Sequence, residues 1–118
     1  MSKARTNPSF MNGVPELLVL RHLSQEQMYG YELVRAIRRS TEDIISLGEG
    51  VIYPTLHALE REGSLASRTT KVAGRSRVYY RITAKGRRRL ERVCTDWSRI
   101  TAAVAGALRV TDHAQPAL

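Results

Sequence analysis

A chain of 118 residues, 42% of them hydrophobic and 25% charged, has room for one packed domain and too little for two comfortable cores. Its longest apolar stretches, around Val14–Leu23 and Ile100–Leu108, are short and broken by polar residues, and the opening MSKARTNPSF has no apolar core, which argues against a membrane span and a secretory signal. The net charge of +8 is unevenly placed: positions 68–92 carry ten Lys/Arg against Glu91 alone, a segment of +9 in a chain whose remainder is −1.

Such a concentrated field points to a polyanionic partner, nucleic acid before membrane, although a solvated basic face would look the same on charge alone. The lone Cys94 cannot close an internal disulfide, as expected of a reducing, cytoplasmic setting.

Residues 1–13 are polar and aperiodic and read as a flexible arm. Val14, Leu17, Leu18, Leu20 and Leu23 then give helical spacing, with Pro15 in the first turn where its missing N–H costs nothing, so a first helix is expected over Val14–Leu23. Ser24–Gln27 is a connector. A second helix is predicted over Gly30–Ser40, with Leu33, Val34 and Ile37 as its buried stripe and Arg35, Arg38 and Arg39 outward. In the loop after it, Ile44, Ile45 and Leu47 are expected to fold back onto the core.

A third helix is expected over Gly50–Glu62, ending at Gly63 in the left-handed C′ position. Ile52, Leu56 and Leu59 point inward by spacing, leaving Tyr53, Pro54, Thr55, His57 and Arg61 on the other side. Pro54 is placed near the first turn, where proline does least damage. Leu65–Thr70 and Arg77–Ile82 read as strands, because Val78, Tyr80 and Ile82 alternate with Arg77, Tyr79 and Arg81. Lys71–Ser76 between them reads as a flexible basic hairpin tip.

Thr83 is placed to cap a last helix over residues 84–109. Its Leu90, Val93, Trp97, Ile100, Val104 and Ala107 step 3-4-3-4-3, a heptad seam that nothing earlier in the chain is left to cover. A partner subunit is the economical explanation. Residues 110–118 read as a disordered tail. The fold class expected is therefore mainly α with a small β-hairpin wing: a winged helix-turn-helix over 14–83 followed by a long dimerisation helix.

Three segments carry a resemblance. Tyr29-Gly30-Tyr31-Glu32-Leu33, the run Gly48–Gly63 with Ile52-Tyr53-Pro54-Thr55-Leu56 inside it, and Gly74–Thr83 with Gly86 following are similar to the PadR family's helix-2, recognition-helix and wing motifs, in order and at the right spacing. The resemblance spans roughly residues 14 to 108. It implies a homodimeric winged-helix regulator, in bacteria usually a repressor released by a small effector, of the shorter class with one helix after the wing. Ser76 stands where the family often has proline, and Val78 where it often has a basic residue.

On this frame Tyr53, Thr55 and His57 are the side chains expected nearest bases or flanking phosphates of double-stranded DNA, with Tyr53 packing under the wing and His57 a surface bystander as the plainer option. Lys71, Arg75 and Arg77 would meet phosphates or the minor groove. Tyr29 and Tyr31 could place hydroxyls on the backbone, although a core role for one of them is equally open. Arg87, Arg88 and Arg89 point about 100° apart and cannot all face DNA, so none is assigned. Val93, Trp97, Ile100 and Val104 are expected at the dimer interface, where the Trp97 pair could also flank a small planar effector; simple packing explains them as well.

A dimer predicts an inverted-repeat operator. No catalytic set is visible: His22, His57 and His113 lie in three different elements without a carboxylate or cysteine at ligand spacing, and no phosphate loop or nucleophile elbow occurs. An enzyme, a metal and a cofactor are therefore not expected. Two rival classes stay open at this point, a nonspecific architectural DNA-binding protein and a winged helix used for protein–protein contact.

Overall fold

Each of the first three helices has one apolar stripe to hide, and the three stripes converge. In the computed structural model, which describes residues 13–114 with side chains up to residue 109, the order is α1 (Val14–Leu23), β1 (Met28–Tyr29), α2 (Gly30–Ser40), α3 (Glu49–Arg61), β2 (Leu65–Val72), β3 (Arg75–Ile82) and α4 (Ala84–Ala114). Val19, Leu20 and Leu23 of α1 meet Leu33 and Ile37 of α2 and Ile52, Leu56 and Leu59 of α3, and Leu47, Leu65, Tyr80 and Ile82 close the cluster. Burying such side chains contributes roughly 1.5–3 kcal/mol apiece. His22 joins α1 to α2: its Nδ1–H donates to the Leu18 carbonyl at 2.8 Å, so Nε2 accepts from the Ser40 hydroxyl at 2.9 Å.

The mainly helical architecture with a basic hairpin is as the periodicities predict, and α1 and α2 have the expected bounds. Elsewhere the structure corrects the reading. The helix of Pro54 begins at Glu49, so this proline sits past the first turn, where it withholds a hydrogen bond from the carbonyl one turn earlier. Ile44 does not fold back; it is 82% exposed while Leu47 is buried. The cause is local: Glu42 and Asp43 take positive φ (52° and 65°), and the Thr41 hydroxyl accepts from the Ile45 amide at 3.1 Å, turning the intervening side chain outward.

The wing is longer and more regular than expected. β2 and β3 pair without interruption from Leu65↔Ile82 to Val72↔Arg75, so the loop is only Ala73 (φ 53°) and Gly74 (φ 80°). Two successive positive φ values give the hairpin turn whose twist matches that of its strands, which is the reason for a glycine at 74. Burial follows the alternation at Tyr80 and Ile82 but not at Val78, which is exposed, because the outer half of the hairpin projects past the helices. β1 adds a third strand, order β1-β3-β2, with Met28↔Tyr80 and Tyr29↔Tyr79 opposed; two residues carry no period for a sequence to display.

α4 is fastened at its root. The Thr83 hydroxyl accepts from the Gly86 amide at 3.1 Å, the expected N-cap, and donates to the Gly63 carbonyl at 2.6 Å. Gly86 lies so close to the domain that a Cβ there would overlap the Ser64 carbonyl oxygen. Arg89 donates from Nε to Glu16 of α1 and from Nη1 to Glu62 just past α3, the latter at 3.1 Å. Leu90 and Val93 pack on the core. Beyond them the helix leaves the domain, giving extents of 68 × 38 × 21 Å. It runs to Ala114, past the end expected near residue 109, since nothing from 110 to 114 breaks a helix. The arm assigned to 1–13, apart from Gly13, and the tail beyond 114 lie outside the described residues.

Replacing Arg89 by Met leaves two carboxylates facing each other without their cation. The expected cost, tempered by partial exposure, is about 1–2 kcal/mol of unfolding free energy in urea titrations followed by far-UV circular dichroism; an unchanged midpoint and slope would show that solvent already screens the bridge.

Candidate nucleic-acid interface

The residues expected at DNA fall into two groups, those held by the protein and those left free. Tyr53 is held. Its half-buried ring lies on the core and over Gly30, where any Cβ would run into the ring. The glycine in Tyr29-Gly30-Tyr31 thus lets α3 cross close to the start of α2. Thr55 is half-buried and donates its hydroxyl to the Val51 carbonyl at 2.8 Å, which occupies its donor but leaves acceptor capacity. His57 is exposed, its ring 6.2 Å from that of Tyr53.

The two tyrosines of helix 2 divide likewise. Tyr29 precedes α2, with its amide donating to Glu32 Oε1 at 3.2 Å, and its ring meets Tyr79 edge to face, centroids 5.4 Å apart. Tyr31 is exposed on α2, with the Arg35 guanidinium 5.5 Å from its ring centre. At the wing, Lys71 and Arg75 are exposed beside the turn, whereas Arg77 is half-buried, its guanidinium 4.4 Å from the Tyr29 ring centre. On the buried side of the same strand, desolvation first, then Glu60 and Tyr53, push the Tyr80 phenol above its usual range, so it stays neutral there.

Of the three consecutive arginines, Arg89 pairs with acids of its own chain; the hydrogen bond to Glu16 outweighs burial and raises its already high pKa. Arg87 reaches the Ser24 carbonyl at 3.5 Å and Arg88 is exposed. Arg68, passed over in the sequence, has its guanidinium 5.5 Å from the centre of the Tyr79 ring; only the strand register reveals that pairing. On α4, Val93 is packed on its own domain, so the open apolar stripe starts later, at Trp97 (45% exposed), and continues through Ile100 (59%), Val104 (54%) and Leu108 (63%).

A three-helix unit with a two-stranded basic wing and a long trailing helix defines a winged-helix protein of the kind that regulates transcription. Residues 19–92 match the family model described as Transcriptional regulator PadR-like family, and the chain belongs to that family. It is similar to Transcriptional regulator Rv3488 of Mycobacterium tuberculosis, 35% identical over 78 residues that cover 66% of this chain and 70% of that protein. Among solved structures it resembles a PadR family transcriptional regulator from Eggerthella lenta (TM-score 0.74, 32% identity, 85% of this chain and 86% of that one). It also resembles a PadR-like transcriptional regulator from Bacillus cereus (TM-score 0.73, 31% identity, 86% and 97%). The recognition made from the three motifs is thus correct, and DNA-binding transcriptional regulation is the family's work. Among the described residues no helix is long and apolar enough to cross a membrane.

Gly30→Ala tests the crossing of α2 and α3. The added methyl must displace the Tyr53 ring, and the expected destabilisation is about 1–3 kcal/mol by chemical denaturation; relief in the double substitution Gly30→Ala/Tyr53→Leu would locate the cause in that contact.

Proposed function

We propose that the protein is a cytoplasmic homodimeric repressor that binds an inverted-repeat operator and is released by a small planar, aromatic or drug-like effector. The observation that carries this reading is the bare stripe Trp97, Ile100, Val104 and Leu108 on a helix that projects from its own domain. Large apolar side chains at helical spacing in water favour a matching helix, and a second copy supplies one. Pairing through α4 sets two α3 helices to reach successive major grooves about 34 Å apart.

In each half-site His57 and Thr55 face base edges or flanking phosphates, with Tyr53 holding α3 in place. Tyr31 and Tyr29 address the sugar-phosphate backbone from the start of α2. Lys71, Arg75 and Arg77 contact phosphates or enter the adjoining minor groove. An effector between the two Trp97 rings would act by preferring one crossing of the α4 pair over another, which alters the spacing of the two α3 helices; it has an effect only if its affinity differs between those geometries.

The decisive experiment is capture of sheared genomic DNA at physiological salt. Enrichment of one or a few inverted repeats supports the repressor; flat recovery favours a nonspecific architectural binder, and no recovery favours a winged helix used for protein contact. Two predictions sharpen it. Ile100→Asp places a charge in the stripe, and sedimentation should show the dimer converted to monomer; a dimer that persists moves the interface elsewhere. Lys71→Gln and Arg75→Gln should each weaken binding to all sequences alike and lower the slope of log affinity against log salt by about 1.8, one phosphate contact being lost from each subunit of the dimer.

A further inference from the structure

The outer face of the sheet carries a row of side chains that neither the core nor α3 accounts for. Tyr29, Tyr79 and Arg68 stand opposite one another across β1, β3 and β2. Arg77 lies two residues before Tyr79, hence on the same face. Tyr80 and Ile82, on the other face, are buried in the core, so this row looks outward. The two rings meet at 71° with centroids 5.4 Å apart. The Arg77 guanidinium is 4.4 Å from the Tyr29 centroid and that of Arg68 is 5.5 Å from the Tyr79 centroid. The result is an alternating arrangement, arginine, ring, ring, arginine.

Two features separate this row from ordinary surface packing. Among the described residues neither Arg68 nor Arg77 is paired with a carboxylate; the ion pairs belong to Arg38 and Arg89. Both also lie in the +9 segment, where repulsion from neighbouring cations would otherwise splay them. A guanidinium against an aromatic ring keeps its N–H groups available at its edge while losing much of its freedom to wander. A cation fixed in that way, without an acid, suits an anion with acceptor oxygens on one side, such as a phosphate.

We infer that Tyr29 and Tyr79 are positioning residues that hold Arg77 and Arg68 as preset contacts to the phosphate backbone of the DNA duplex. The footprint then runs from the wing tip along the sheet to Arg68, a contact that the recognition-helix-and-wing-tip reading lacks. The inference rests on the DNA-binding reading above. It gives Tyr79 a role for the ring alone, and gives the Tyr29 ring a role beside the backbone contact of its hydroxyl.

Phosphate contacts are independent of sequence, so the test uses the full-length protein and a fluorescein-labelled random-sequence duplex, with anisotropy titrations over a range of salt. Arg68→Gln should lower the salt slope by about 1.8, one contact in each subunit of the dimer. Tyr79→Leu should weaken binding roughly tenfold to a hundredfold, the cost of ordering one loose arginine in each subunit of the dimer, while leaving the slope unchanged. Tyr79→Phe should match the unsubstituted protein, because the ring remains; it also keeps the test open if Tyr79→Leu fails to fold. In an Arg68→Gln background Tyr79→Leu should lose much of its effect.

An unchanged slope for Arg68→Gln, an equal penalty for Tyr79→Leu in both backgrounds, or a loss of binding in Tyr79→Phe would each overturn the inference. If Lys71→Gln and Arg75→Gln lower the slope and Arg68→Gln does not, this inference fails while the wing-tip reading stands. If none of the three lowers it, the wing-tip reading fails as well, whereas absence of any binding by the unsubstituted protein at low salt would overturn the DNA-binding reading itself.

Discussion

Arg89 lies between the carboxylates of Glu16 and Glu62, so the start of α1, the end of α3 and the root of α4 meet at one guanidinium. The contact is local, but its position gives it leverage. From Arg89 to Leu108 the helix rises about 28 Å, so a tilt of about 10° at the root displaces the far stripe by about 5 Å. Other contacts at the root share the load: Leu90 and Val93 pack on the core, Gly86 abuts the Ser64 carbonyl, Lys85 and Thr83 donate to the Glu62 and Gly63 carbonyls at 2.6 Å, and Arg87 reaches the Ser24 carbonyl. Glu62 also accepts from Ser64 at 2.7 Å, so one carboxylate ties the end of α3 to both the turn after it and α4. A change in the direction of α4 would therefore bear on the start of α1 and the end of α3 together.

The same economy shows in how α2 and α3 are set against each other. Gly30 has no side chain because Tyr53 needs its space, and Tyr53 in turn packs against the core. Backbone proximity here is fixed by a missing methyl rather than by an added attraction. A close-packed interface of this type has one good arrangement and resists small adjustments. The face of α3 that stays open is accordingly rigid, which lowers the entropy lost when it meets a partner.

Much of the fold was legible because most elements bury one face. The 3.6-residue stripe of Leu33 and Ile37, or of Ile52, Leu56 and Leu59, is a local signal, and the three quoted motifs brought the family with it. What stayed hidden depends on residues distant in sequence. Arg89 finds Glu16 at a separation of 73 residues and Glu62 at 27; no spacing rule connects them. β1 is legible only once β3 is there to pair with it. Ile44 was misread because a hydrophobic residue in a loop signals the core only on average, and here two positive-φ residues before it decide the direction. Arg68 resembled any other member of a basic segment until the register placed it opposite Tyr79.

The basic segment shows why a charge total is a poor guide to contacts. Its cations do different things: Arg89 is satisfied inside the chain, Arg87 reaches a backbone carbonyl, Arg68 and Arg77 rest on aromatic rings, and Lys71 and Arg75 are free in solvent. All of them contribute to the long-range field that draws a polyanion in, since that field depends on net charge and little on local pairing. Only those with unsatisfied N–H groups can hold it at short range. The salt dependence of binding counts neutralised phosphates, so for each subunit it should reflect this smaller set, well below the +9 of its segment. Attraction and grip are thus separable here, and the separation follows from geometry that composition cannot express.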